Sequence, residues 1–327
     1  MKHGLITWDK AELPPAAFDS RLSRVRELLA ARGLSALVVY SDVWRSNQGR
    51  YFSNFMPYWN RALLVIAAEG APSLLCALSP RVYPWIRSIT NIDEIRPSPN
   101  LPQQLLAMCT EKDWKKIGVL DLGAMPQDLY APLAKGLDSI ADIPWNAVRS
   151  APDEAELSMY RRGATVAREV LEQEIAGTSG GIDHDFVGRL EQRLRLAGAE
   201  DLVVLLTNGQ TAPKPPAGIT LDKGFSVTLA FEYRGHWIKV SRTVAPPEVL
   251  TSLKSLFRYS IEGKPLGDPA APLYLENLSG AYPWESCGAA ELTAGSLFAA
   301  HVETQVDDRR YFYGDMCIRS PSGAELL

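Results

Sequence analysis

A few side chains in this sequence are both reactive and placed where the chain would hold them still. His301 lies in Leu297–Val302, a short apolar run that reads as a strand, and Glu303 follows two residues later. Strand side chains alternate between faces, so His301 and Glu303 share one. A histidine with a carboxylate beside it can move a proton near neutral pH, or can be a plain core salt bridge. Tyr313 sits beside Tyr311 and Phe312. Its phenol could donate to an oxyanion, or its ring could simply pack. Cys287 has no local base and nothing to lower its pKa, so it reads as inert. The four cysteines are far apart with no CxxC pair, and four histidines cannot build a histidine-rich metal site.

The elements that must position these residues fall into two sets. Residues 19–150 alternate helix and strand signals. Leu22, Val25, Leu28 and Leu29 mark one helical face ending at Gly33, and Ala36–Tyr40 is a buried-strand run. Ala62–Ile66 and Ser73–Ala77 flank a Glu69-Gly70 turn and read as a hairpin. Lys116–Leu120 and the helical stretch Gln127–Lys135 complete an α/β domain with a mixed sheet. The pattern changes at Ser150–Glu154, where a proline and two acids open a long helix to about Ala176. A helix over Phe186–Leu196 follows. Strand-like runs come after it at Leu202–Leu206, Ser226–Phe231, Trp237–Val244 and Leu297–Val302, the order of an α+β domain. The expected domains are therefore 1–150 and 151–327.

Composition bounds the function classes. The chain has 327 residues, 46% hydrophobic and 22% charged, which is globular and long enough for two domains. A net charge of -4 argues against a nucleic-acid partner. The longest apolar run, Ala62–Ala68, is far below the ~20 residues of a membrane helix, and no signal-peptide core opens the chain. The expectation is a cytoplasmic protein.

From about Arg21 onward the segment order resembles the creatinase/aminopeptidase P/prolidase family. Tyr51-Phe52-Ser53-Asn54-Phe55 is similar to a Tyr-Leu-Thr-Gly-Phe segment of its N-terminal domain. Val148–Ala167 resembles its interdomain helix entry, and Thr207-Asn208-Gly209 its Ser-Gly-x-Asn turn. Glu232–Thr243 is similar to its Tyr-x-Gly-Tyr-x-x-Asp-x-Thr-Arg-Thr segment. The resemblance implies an α/β creatinase-like N-terminal domain plus an α+β pita-bread C-terminal domain. It also implies a homodimer in which the loop Tyr58-Trp59-Asn60-Arg61 borders the partner's site. There Arg61 could clamp a carboxylate and Trp59 could cover an alkylammonium group, unless this is an ordinary interface loop.

The departures from the family matter more. Its enzymes hold two metal ions with two Asp, one His and two Glu. Matched residue by residue, Thr228 and Lys239 stand at the two Asp, Asn277 at the metal His and Trp284 at the substrate-facing His. His301 stands at the first Glu and Tyr313 at the second, while Glu285 matches an acidic position. A Lys ammonium repels a cation, so the resemblance implies no metal and no other cofactor. Lys239 either receives an anion or closes an ion pair with Glu303 or Asp315. Two functions follow. One is a metal-independent, creatinase-like hydrolase or lyase acting on a small carboxylate-bearing amino-acid derivative. Its catalytic residues would be His301, Tyr313 and Glu303, and Lys239, Thr228, Asn277, Trp284, Glu285, Arg61 and Trp59 would bind the substrate. The other is a non-catalytic binding or scaffold protein on the same fold.

Overall fold

The computed structural model describes residues 6–149, 151–178, 180–262, 273–276, 278 and 292–327. Two compact units divide the chain, Lys2–Ser150 and Ala151–Leu327. No helix among the described residues is long and apolar enough to cross a membrane.

The N-terminal unit runs α1 (Pro15–Arg32), β1 (Ala36–Ser41), α2 (Asn47–Ser53), β2 (Ala62–Ala67), β3 (Ser73–Cys76), α3 (Tyr83–Ile89), β4 (Glu94–Pro97), α4 (Leu101–Glu111), β5 (Lys116–Leu120), α5 (Gln127–Gly136), β6 (Ser139–Ile143) and α6 (Trp145–Val148). Its sheet order is β4-β3-β2-β1-β5-β6. β2 runs antiparallel to β1 and β3, whereas the remaining neighbours are parallel. Every residue of β1, β2 and β3 is buried, which explains their unbroken apolar runs: helices cover both faces. Leu37 and Val39 pack toward Val25 and Leu29 of α1, and Val38 packs toward Leu105 and Leu129 on the other side. Burial pushes the thiols of Cys76 and Cys109 up to about 11, so neither is reactive.

The C-terminal unit opens on α7 (Glu154–Ala176), where Asp153 and Glu156 form a reciprocal capping box. Next come β7 (Gly181–Ile182), α8 (Asp183–Leu196), β8 (Ala199–Asn208), β9 (Thr220–Leu221), β10 (Phe225–Tyr233), β11 (His236–Val244) and α9 (Pro247–Ile261). β12 (Leu273–Glu276), β13 (Leu297–Val306), β14 (Arg309–Ser320) and β15 (Gly323–Leu326) complete it. One antiparallel sheet runs β12-β13-β14-β11-β10-β8, with β15 also on β14. Arg234 and Gly235 turn the β10–β11 hairpin with φ of 51° and 83°. Positive φ at both positions is what a two-residue turn matching the strand twist requires.

The two faces of this sheet differ in chemistry. Val227, Leu229, Phe231, Ile238 and Val240 join Ala164, Leu171, Phe186 and Leu190 of α7 and α8 in one core. A buried ion network borders that core. Arg242 donates to Asp315 at 2.7 Å and to the Gly314 carbonyl at 2.7 Å, while Arg168 reaches the other Asp315 oxygen at 3.0 Å. Asp315 is 1% exposed, so its charge depends on both guanidiniums. Asp315→Ala should therefore cost about 3–5 kcal/mol in urea unfolding, because Arg168 loses its carboxylate and Arg242 keeps only the exposed Glu172. A loss below about 1 kcal/mol would remove this network from the fold's foundations.

Candidate functional site

The opposite face of the sheet is polar yet equally buried. Strand pairing decides which residues lie on it. Thr228 pairs with Ser241, Ser241 with Gly314, Gly314 with His301, and His301 with Tyr274. Ala230 pairs with Lys239, and Ala299 with Glu276. Paired residues share a face, so Thr228, Lys239, Ser241, His301, Gly314 and Glu276 meet there.

These groups form one connected network. The Thr228 and Ser241 hydroxyls lie 2.9 Å apart, and Ser241 Oγ is 2.9 Å from His301 Nδ1. His301 Nε2 is 3.3 Å from Glu276 Oε1, and Lys239 Nζ is 3.3 Å from Glu276 Oε2. Lys239, Ser241, Glu276 and His301 are 0% exposed and Thr228 is 1% exposed. Burial holds the His301 pKa below its ordinary value, although Glu276 pulls the other way. The ring is thus a neutral bridge between a hydroxyl and a carboxylate, while Lys239 supplies the opposite charge to Glu276.

Thr228, Lys239 and His301 come together on this face, whereas three other placements differ from expectation. Tyr313 lies on the other face, one residue out of phase with Gly314. Its ring packs under the Arg242 guanidinium at 4.6 Å and beside Phe257 at 5.4 Å, so it cannot reach His301's side of the sheet. Glu303 shares the face of His301, but Arg310 takes both its oxygens at 2.6 and 2.8 Å and Tyr274 donates at 2.8 Å. The Arg310 hydrogen bonds hold the Glu303 carboxyl below its ordinary pKa. The carboxylate that serves His301 is Glu276. Lys239 likewise pairs with Glu276, not with Glu303 or Asp315, and so meets no free anion through the described residues.

Asn277, Trp284, Glu285 and Cys287 lie outside the described residues. Trp59 and Arg61 belong to the N-terminal unit. Trp59 is 60% exposed, and Arg61 bonds Asp128 at 2.7 Å.

Two members of the network, and the glycine packed against it, had no signal as site residues in the sequence. Glu276 ends a four-residue strand, and its partners are 25 and 37 positions away in the chain. Ser241 is hidden inside a motif match. Gly314 shows only in the register: a Cβ there would run into the His301 ring and lie 2.6 Å from the Ala300 carbonyl oxygen. The ring of His301 therefore fills the space that a side chain at 314 would need.

Comparison with known proteins places this architecture. Residues 21–150 match the Creatinase/Prolidase N-terminal domain. The chain is a creatinase/prolidase-type N-terminal domain joined to a pita-bread unit. The prolidase of Pyrococcus horikoshii OT3 superposes with a TM-score of 0.73 at 12% identity, covering 94% of this chain and 97% of that one. The X-Pro aminopeptidase of Thermotoga maritima MSB8 gives 0.74 at 14%, covering 93% and 96%. Dipeptidase PepE of Mycobacterium ulcerans gives 0.70 at 16%, covering 98% and 96%. At such identities the likeness is one of fold. No curated protein sequence matches significantly. Among the described residues, no three His, Cys, Asp or Glu side chains gather closely enough to hold a metal ion.

Two outcomes test this geometry. Lys239→Met should lower stability by about 3–5 kcal/mol by stranding Glu276, and Lys239→Met with Glu276→Leu should recover most of that loss. Additive losses in the double variant would show that the two charges are not coupled. Gly314→Ala should cost about 1–3 kcal/mol or more through overpacking. Adding His301→Ala should relieve only part of it, since the Ala300 carbonyl remains in the way; an unaffected melting curve for Gly314→Ala would refute the packing.

Proposed function

We propose that this chain is a non-catalytic binding or scaffold protein on the prolidase fold, not a metallopeptidase. The reading is carried by the sealed, mutually neutralising Thr228–Ser241–His301–Glu276–Lys239 network. Divalent metals need several carboxylate oxygens around them. At the corresponding positions this chain offers a hydroxyl at Thr228, an ammonium at Lys239, an imidazole at His301 and, on the register of β14, no side chain at Gly314. The carboxylate within the network, Glu276, is already engaged by Lys239 and His301. That donor set does not suit a dinuclear centre, which supports the non-metallopeptidase reading over the peptidase names of the structural neighbours. Self-association as a homodimer belongs to this reading.

A second reading has one observation in its favour. His301 stands between a hydroxyl and a carboxylate, as a general acid/base would, which suits a metal-independent hydrolase or lyase on a small carboxylate-bearing amino-acid derivative. The complete burial of every member weighs against it, because a substrate must reach the reacting group.

Elemental analysis of the purified protein, with Xaa-Pro dipeptide assays run with and without added manganese, tests the first reading. Substoichiometric metal and no hydrolysis are expected. One or two metal ions per chain, or turnover abolished by His301→Ala, would overturn it and, in the latter case without metal, favour the second. Light scattering should give twice the 36.0 kDa chain mass; a monomer at micromolar concentration would remove the dimer.

A further inference from the structure

A cavity of about 480 Å³ lies at the end of the N-terminal sheet opposite Arg61 and plays no part in the network above. Ser35, just ahead of β1, and Trp114, just ahead of β5, stand on its wall with the β2–β3 turn and the end of α4. Its floor is apolar: Val65, Ala67 and Met108 are 1%, 6% and 2% exposed. Beside that floor, on β4, Arg96 Nε and Nη2 lie 2.7 and 2.6 Å from one Glu94 oxygen, and Ser73 Oγ bonds the other. Both Glu94 oxygens are thus engaged, and the guanidinium plane is held in one orientation. Arg96 Nη1 has only the exposed Glu111 at 3.6 Å. Lys112, exposed at the end of α4, is in no ion pair among the described residues. Glu69, the other carboxylate of the lining, sits exposed on the β2–β3 turn. The hydrogen-bonding capacity left beside the floor is therefore that of donors.

We propose that this cavity binds a small planar aromatic carboxylate. A volume in this range is that of a small-molecule site, with few polar groups fixing orientation over an apolar base. The ring covers Val65, Ala67 and Met108, and two flat groups of the lining suit its faces: the Trp114 indole and the held Arg96 guanidinium. Its carboxylate meets the Lys112 ammonium in a charge-assisted hydrogen bond. One negative charge matches the one lining cation that lacks a partner, since Arg96 is already balanced by Glu94. A cationic ligand would instead enter beside two cations, with the inner carboxylate already occupied. The proposal rests on the binding-protein reading but concerns a different unit, so it can fail alone.

Titration calorimetry of the full-length protein with 2-naphthoate, 2-naphthamide and 2-naphthylmethylamine tests it. The naphthoate should bind, and the neutral amide and the ammonium compound should each bind at least about tenfold more weakly. Lys112→Gln should weaken naphthoate binding by a similar factor while melting like wild type, because the side chain it replaces is exposed. Trp114→Leu should weaken it as well, and if that variant melts early, Lys112→Gln alone decides. Absence of naphthoate binding up to about 5 mM would overturn the site. So would equal or tighter binding of the amide or the ammonium compound, or unchanged naphthoate binding in Lys112→Gln. Metal content and dipeptide hydrolysis, which read the C-terminal unit, would be untouched by that failure.

Discussion

A carboxylate with no solvent exposure cannot stand alone, and Glu276 is such a group. Its two oxygens face Lys239 from β11 and His301 from β13, so one side chain on an edge strand depends on two others further into the sheet. His301 in turn is fixed through Ser241, and Ser241 through Thr228. Four strands, β10 to β13, thus share one polar seam, linked by two hydroxyl hydrogen bonds and two ion-pair contacts of 3.3 Å. Taking two charges out of water is costly, and their attraction offsets that only when the geometry is closed.

The helix-covered face repeats this logic with different residues. Arg242 and Arg168 compensate Asp315, and the Arg242 guanidinium also lies over the Tyr313 ring. Arg242 and Lys239 are three positions apart on β11, which puts them on opposite faces, each with its own carboxylate. Asp315 and Gly314 divide β14 in the same way. The sheet therefore carries buried charge compensation on each side, Glu276 with Lys239 on one and Asp315 with Arg242 and Arg168 on the other.

Legibility in the sequence followed the range of the interactions. The apolar runs that became β1, β2, β10, β11 and β13 were visible because periodicity is a local property. So was the helix at Asp153, whose cap and first-turn acids are neighbours in the chain. Tyr313 was misplaced because its position was counted along a strand with no internal marker, and a slip of one residue exchanges the two faces. Glu276 was missed for a different reason: nothing in Leu-Tyr-Leu-Glu announces a partner on another strand. Glu303 looked like the companion of His301 because alternation sees only one strand, while Arg310 approaches from the next.

The polarity of the replaced positions needs no catalytic explanation once their coupling is known. A disused site would be expected to fill with apolar side chains, and Thr228, Lys239 and His301 have not. But an apolar residue at Lys239 leaves the Glu276 charge buried without its cation. One at Glu276 strands Lys239 instead, and one at Ser241 takes the partner from His301 Nδ1. Each single change costs the desolvation of the group left behind, whereas replacing the set together can be neutral or favourable. Contacting residues of this kind are not additive, so the low-energy apolar alternative lies several simultaneous changes away. Persistent polarity is then a property of the packing. The discriminating feature is access, and a face whose five interlinked groups are all at 0–1% exposure is built for closure before it is built for substrate.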